Sequence, residues 1–251
     1  MFQAERYNVI LDILNRKKSV SIDKLCKETF CSPATIRRDL ISLEKSGLIS
    51  RNRGGASIIM SSSMEYPYAF RNSKKQIEKD YICNIAENFV SDGSSLFLDS
   101  SSTVLQICKL IEKRRNISVV TNGLATAFSL AQSENVKVCI AGGHIKTGSA
   151  AIIGEFSSGF IKNFKADVAI ISCRGVDEDG IYEADQDQAL VKQQMIKNAK
   201  LTILLCDNSK FGSSYFYKLC DFFEIEALIT DKKPSTVIEQ RLLSSGCEIL
   251  Y

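Results

Sequence analysis

The chain of 251 residues carries one histidine and three prolines, and its apolar runs stay as short as Val168–Ile171 and Ile203–Cys206. Such runs fall far below the roughly 18 residues of a membrane helix, so no membrane partner is expected. A single imidazole, His144, leaves no second one for a zinc site or a Ser-His pair, which sets metal-assisted and triad hydrolysis aside. Few prolines, with 45% hydrophobic and 24% charged residues, exclude a fibrous repeat or a disordered tail. The opening Met1-Phe2-Gln3-Ala4-Glu5-Arg6 lacks the basic-then-apolar layout of a secretory signal, and the cytoplasm is the expected location.

Cysteine is present but unpatterned. Nine stand at 26, 31, 83, 108, 139, 173, 206, 220 and 247, an odd number without a Cys-x-x-Cys pair. They read as reduced, buried, small apolar side chains, and neither a metal nor a cofactor is expected.

Charge is unevenly placed. Residues 1–57 hold eleven Lys or Arg against six Asp or Glu, whereas the remainder is slightly acidic. A basic unit on an acidic body suggests that one part meets a polyanion. Within that unit Val9, Ile10, Ile13 and Leu14 recur at helical spacing, Ser21 can cap a second helix, and Ser32-Pro33 open a third. In the third, Ile36, Leu40 and Leu43 share an inward face, which leaves Ala34, Thr35, Arg37 and Arg38 towards solvent. Leu48–Arg51 then reads as a strand, Asn52-Arg53-Gly54-Gly55 as a turn and Ala56–Ile59 as its return. An isolated Arg-Arg pair would be an ordinary solvated face. Three short helices and a basic glycine turn instead make a winged helix-turn-helix, whose arginines fork onto guanine edges or phosphates. Arg16-Lys17-Lys18 and Lys113-Arg114-Arg115 stand at helix ends, where the dipole explains them.

Residues 59–72, with Ser61-Ser62-Ser63 and Pro67, show no sustained period and read as a linker between a DNA-binding domain at 1–58 and a second domain at 73–251. The second opens with a helix whose apolar stripe is Ile77, Tyr81, Ile82, Ile85, Ala86, Phe89 and Val90. Six apolar runs follow, at 96–98, 117–120, 136–141, 168–171, 201–206 and 227–229, with helices expected near 103–115, 123–133, 155–164, 188–199 and 234–245. That alternation is the grammar of a parallel α/β sheet, whose ligands bind beyond the carboxyl ends of the strands. The turns there are Asp99-Ser100-Ser101-Ser102-Thr103, Thr121-Asn122-Gly123, Gly142-Gly143, Cys173-Arg174-Gly175 and Asp207-Asn208-Ser209-Lys210. The first can hold a phosphate on backbone amides and hydroxyls at a helix start, with Lys210 or Arg174 completing the neutralisation. Asp177, Glu183 and Asp185 add carboxylates able to bond hydroxyls, or to solvate a loop. Proton abstraction next to a carbonyl would use the same residue types, so a sugar-phosphate isomerase carrying a DNA-binding domain is the rival reading.

The run Ser32-Pro33-Ala34-Thr35-Ile36-Arg37-Arg38-Asp39-Leu40, followed by Leu43-Glu44, Gly47 and Arg53-Gly54-Gly55-Ala56, resembles the signature of the DeoR family of bacterial transcription regulators. The resemblance extends through the 99–103 loop, Thr121-Asn122, Gly142-Gly143, Asp167, Gly175-Val176-Asp177, Asp207–Gly212 and Thr230-Asp231. Ser172 and Arg174 depart from the glycine and small polar residue commoner in the family, and Arg53 replaces a histidine.

The resemblance implies a sensor domain similar in fold to pentose-phosphate isomerases. Ser100–Thr103 and Lys210 would meet a phosphate, and Thr121, Asn122, Gly142, Gly143, Asp177 and Glu183 would line the sugar side. The expected DNA-contacting set is Ser32, Ala34, Thr35, Arg37, Arg38, Arg51, Arg53, Gly54 and Gly55, and the effector set adds Asp99 and Arg174. The expected protein is a homodimer or homotetramer on double-stranded operator DNA, most simply a repressor released by a phosphorylated sugar, although activation is equally compatible with the sequence.

Overall fold

A computed structural model describes residues 2–59 and 65–251, which divide between Arg71 and Asn72 into two compact units. The first comprises α1 (Gln3–Lys17), β1 (Ser19–Ser21), α2 (Ile22–Thr29), α3 (Pro33–Lys45), β2 (Ile49–Asn52) and β3 (Gly55–Ile58). Ser32 starts α3 as expected: its hydroxyl accepts the Thr35 N–H at 3.3 Å, and Pro33, which needs no partner there, follows. Ile36, Leu40 and Leu43 turn inward onto Ile10, Leu14 and Leu25, each such burial stabilising by about 1.5 to 3 kcal/mol. The wing is a three-stranded antiparallel sheet ordered β1-β3-β2. β1 escapes a sequence reading because Ser-Val-Ser, with only Val20 buried, is too short to show a period.

The expected linker is corrected in part. Tyr68–Ser73 forms a helix, α4, and Phe70 and Tyr66 join the first unit's core. Phe70, four residues after Tyr66 and with ring centroids 5.0 Å apart, supplies an apolar anchor too short to show a period in the sequence. Ser61, Ser62 and Ser63 lie outside the described residues.

The second unit begins with α5 (Gln76–Ala86) and runs through β4 (Ser95–Leu98), a 3-10 turn (Val104–Ile107), α6 (Cys108–Ile111), β5 (Ile117–Thr121), α7 (Leu124–Leu130) and β6 (Val136–Ile140). A hairpin of β7 (His144–Lys146) and β8 (Ala151–Ile153) precedes α8 (Glu155–Ile161) and β9 (Ala166–Ser172). Then come β10 (Gly175–Val176), β11 (Ile181–Glu183), α9 (Gln186–Asn198), β12 (Ala199–Leu205), β13 (Tyr217–Cys220), β14 (Ala227–Ile229), α10 (Thr236–Ser244) and β15 (Glu248–Leu250). Seven parallel strands make the main sheet in the order β15-β14-β12-β9-β4-β5-β6. One face packs on α5, α6 and α7, the other on α8, α9 and α10. This is the expected α/β class, with an N-terminal winged helix-turn-helix.

Two helices differ from expectation. Residues 103–115 hold only the 3-10 turn and the four-residue α6. The stripe of α5 is rotated: Ile77 is 84% and Tyr81 45% exposed, while Lys79, Ile82, Cys83 and Ala86 face inward. The lysine at the start of that inner face disguised it.

Candidate functional site

Strand order locates the candidate site in the second unit. After β4 the chain runs outward to β5 and β6, then returns to β9 on the other side of β4. The crevice between the carboxyl ends of β4 and β9 is the switch point at which open α/β sheets bind ligands. Asp99 leaves β4 there and Ser172 ends β9, and the Ser172 N–H donates to Asp99 Oδ2 at 2.9 Å.

Asp99 is fully buried, and the Ser101 N–H caps its other oxygen at 2.9 Å. Its counter-charge is Lys192, on the inner face of α9, with Nζ at 2.9 Å from Asp99 Oδ2. Lys192 also donates to the Ser172 carbonyl at 2.7 Å and to Glu183 on β11. Burial works to raise the Asp99 pKa, but the Lys192 charge and the Ser172 and Ser101 hydrogen bonds outweigh it and hold the carboxyl below its ordinary value. Burial likewise opposes the Lys192 charge, and the two carboxylates more than restore it, so the ammonium is held above its ordinary value. Sequence reasoning passed over Lys192. The signal was a lysine in register with the apolar positions Ala189 and Met195, where a cation must have buried partners.

Two further ammonium groups end on serine hydroxyls. Lys210 Nζ donates to Ser172 Oγ at 2.7 Å, and Lys79 Nζ, from α5, donates to Ser102 Oγ at 3.1 Å. Both act on Asp207: burial raises its pKa, and Lys210, the Ser209 bonds and Lys79 pull it below the ordinary value. Ser100, Ser102 and Thr103 are buried, and Ser101 Oγ accepts the Val104 N–H at 3.1 Å. The helix after this loop is too short to supply the expected dipole, so the cations are the main attraction for an anion. Gly123 brings the next turn against the loop, since a Cβ there would lie 2.9 Å from Ser100 Cα. Thr121 Oγ1 accepts the Gly123 N–H at 3.0 Å. Asn122 donates through Nδ2 to the Ile152 carbonyl at 3.0 Å, which leaves its buried Oδ1 as an acceptor with no partner among the described residues.

Other expected residues stand differently. Gly143, at φ 147°, is where β8 crosses closely, for a Cβ would meet the Ile153 carbonyl at 2.5 Å, whereas Gly142 faces open space. Asp177 caps its own turn, accepting the Asp179 N–H at 2.9 Å, and acts on Tyr182 rather than on Lys192. Arg174 lies over the Tyr215 ring, 5.0 Å from its centroid. Asp185 caps α9 through the Gln188 N–H and pairs with Lys146 at 3.1 Å. Among the described residues no cluster of three or more His, Cys, Asp or Glu is placed to hold a metal, and no helix is long and apolar enough to cross a membrane.

In the first unit, Ser32, Ala34, Arg37 and Arg38 are exposed on the first two turns of α3, and Thr35 is half-buried. Arg53 and Gly54, at φ 97°, form the exposed wing tip. Two residues of the expected set do other work. Gly55 is buried, because a Cβ would lie 2.2 Å from the Val20 carbonyl oxygen of β1. Arg51 is paired with Glu44, whose carboxylate also accepts the Arg51 N–H at 3.0 Å, fastening β2 to α3. Sequence reading also missed the fastening of α3 to α1: buried Asp39 takes the Arg6 guanidinium in a fork, at 2.7 and 3.1 Å. Asp39 lies beside Arg38 but on the inward face, a position where a carboxylate requires a partner.

The family model described as the DeoR C terminal sensor domain matches residues 74–232, and that of the DeoR-like helix-turn-helix domain matches 6–62. The glycerol-3-phosphate regulon repressor of Escherichia coli is 32% identical over 243 residues, 96% of each chain. The HTH-type transcriptional repressor GlcR of Bacillus subtilis is 32% identical over 250 residues, 100% of this chain and 96% of that one. Among solved structures, ribose 5-phosphate isomerase A of Methanocaldococcus jannaschii matches 53% of each chain at 15% identity, with a TM-score of 0.40, a likeness too slight to speak for a ligand.

Proposed function

The chain belongs to the DeoR family of helix-turn-helix transcription regulators, and from that premise we propose a repressor whose second unit binds a phosphorylated sugar, or a related polyol phosphate, and thereby loosens the hold of the first unit on operator DNA. It is a DNA-binding regulator and not an enzyme. The observation that carries the effector reading is the Lys210 ammonium on the neutral hydroxyl of Ser172 at the switch point, with Lys79 reaching the same loop at Ser102. A phosphate oxygen outbids a hydroxyl for an ammonium because both partners of the new bond are charged. Asn122 Oδ1, held as an acceptor, suits a ligand hydroxyl. Relatives named for a glycerol-phosphate regulon point to the same chemistry.

On DNA, Arg37 and Arg38 would read the major groove with Ser32, Ala34 and Thr35 beside the backbone, and Arg53 at the wing tip would follow the phosphates. One winged helix makes too few contacts for selective binding, so we assign a homodimer or homotetramer on half-sites about one helical turn, roughly 34 Å, apart. The cytoplasm is the corresponding location.

Arg37→Ala is expected to weaken specific operator binding by about 1 to 3 kcal/mol and relax preference at one base position. Footprinting on DNA upstream of the gene, with a shuffled sequence as control, checks this. Equal loss on both DNAs would make Arg37 a phosphate contact, and no footprint with the unaltered chain would remove the repressor reading.

A further inference from the structure

We propose that β6, the outer strand of the main sheet, is the surface through which two copies of the chain join, antiparallel about a two-fold axis at Val138, into one continuous sheet. This rests on the homo-oligomer assigned above and names the surface that builds it.

β6 ends the sheet, with β5 on one side only. Two backbone bonds fix which way its peptide groups point. The Ile117 N–H donates to the Asn135 carbonyl at 3.1 Å, and the Ala141 N–H donates to the Thr121 carbonyl at 2.8 Å. Peptide groups alternate sides along a strand, so residues 135, 137, 139 and 141 turn theirs to β5, while Val136, Val138 and Ile140 turn theirs outward. Among the described residues nothing bonds those three from the outer side. Such an unpaired row is a template for a further strand. The opposite edge, β15, is blunted by its length of three residues.

The occupant that fits is a second β6, because Val-Lys-Val-Cys-Ile complements itself. An axis at Val138 sets Val138 against its own copy and Val136 against Ile140, each pair exchanging both backbone bonds, and places Lys137 opposite Cys139 of the second copy. An axis one residue earlier would face Lys137 with Lys137, a like-charge pair that opposes association. One residue later, Val136 and Lys137 would pass the end of the opposing strand. The covered surface is apolar on the side of α7. Val136 and Val138 pack there with Leu130, and Ile140 points the same way by alternation. Ile140 is 42% exposed, and Phe128, on α7, 76%. Joining the sheets brings a second β6 and a second α7 to that face.

The test uses the full chain. Light scattering after gel filtration is expected to give the unaltered chain two or four times its 27.9 kDa, and Val138→Pro half of that mass. Proline there removes an outward N–H and no bond to β5, a place where edge strands accept it, and circular dichroism checks the fold. Lys137→Cys tests the register, and decides alone if the proline variant unfolds. Its opposite residue is Cys139 of the second copy, in a pair without backbone bonds whose Cα atoms lie about 4.5 Å apart, within the span of about 4.4 to 6.8 Å that a disulfide bridges. Under oxidised glutathione Lys137→Cys is expected to run as a covalent dimer, which the added Cys139→Ala removes. A monomeric unaltered chain overturns the oligomer and this proposal with it. No covalent dimer, one that survives Cys139→Ala, or a folded Val138→Pro of full mass leaves the oligomer standing and overturns β6 as its joint.

Discussion

Replacing Lys192 by methionine is expected to destabilise the second unit by about 3 to 5 kcal/mol, the usual consequence of leaving a buried charge without its partner. The variant keeps the apolar stem and removes the cation that pairs with both Asp99 and Glu183. Both carboxylates lie in the interior, and Asp99 has no exposure at all. Combining Lys192→Met with Asp99→Asn and Glu183→Gln should return most of the loss, which separates charge imbalance from lost packing. The pH dependence follows from the shifts. Asp99 is held below its ordinary pKa, so its contribution is complete above the unfolded value of about 3.9 and is lost as pH falls below it. Lys192 is held above its ordinary value, so its contribution is complete below about 10.4 and is lost above it. Urea unfolding of the variants between these limits checks the ledger; a Lys192→Met midpoint equal to that of the unaltered chain would show that the network does not stabilise the fold.

The second large effect is expected in the first unit. Asp39→Ala leaves the Arg6 guanidinium without the fork that joins α1 to α3, and should cost about 3 kcal/mol, the lower end of the range for buried pairs because Arg6 reaches partly into solvent. In so small a unit that is a large part of the total stability. Operator binding should fall with it although Asp39 faces away from the DNA-reading side, whereas compound binding by the second unit should stand. Arg6→Met with Asp39→Leu is expected to recover stability. Hydrogen exchange resolved by residue distinguishes the cases: faster exchange confined to α1, α2 and α3 supports the clamp, and faster exchange in β4 or β9 contradicts it.

Legibility followed the strength of local signals. Six of the seven strands of the main sheet, all but β15, show as apolar runs, the inner ones because strands buried on both faces exclude polar residues, and α3 announces itself through Ser32, Pro33 and the spacing of Ile36, Leu40 and Leu43. β7, β8, β10, β11 and β13 span two to four residues and are specified by partners distant in the chain, as where Ile181 pairs with Cys220, so no period betrays them. Strand order is likewise non-local: nothing in the sequence places β9 beside β4, and the meeting of Asp99 with Ser172 depends on that placement. Hydroxyl and amide turns mark where the candidate site would lie. Its charges were misread where a lysine stood on an apolar face, as Lys79 and Lys192 do, because a solvent-facing lysine is the common case and the buried one requires carboxylates or hydroxyls that the fold alone brings near.

In the proposed mechanism a phosphorylated ligand at the switch point releases operator DNA. Fluorescence anisotropy of the full chain on DNA from its own upstream region, titrated with sugar phosphates and the matching unphosphorylated sugars, with Lys210→Ala in parallel, tests it most directly. Release by one phosphorylated compound, not by its parent sugar, and loss of that release in Lys210→Ala with operator binding intact, is the predicted result. Tight binding that no compound moves, or release that survives Lys210→Ala, would contradict it.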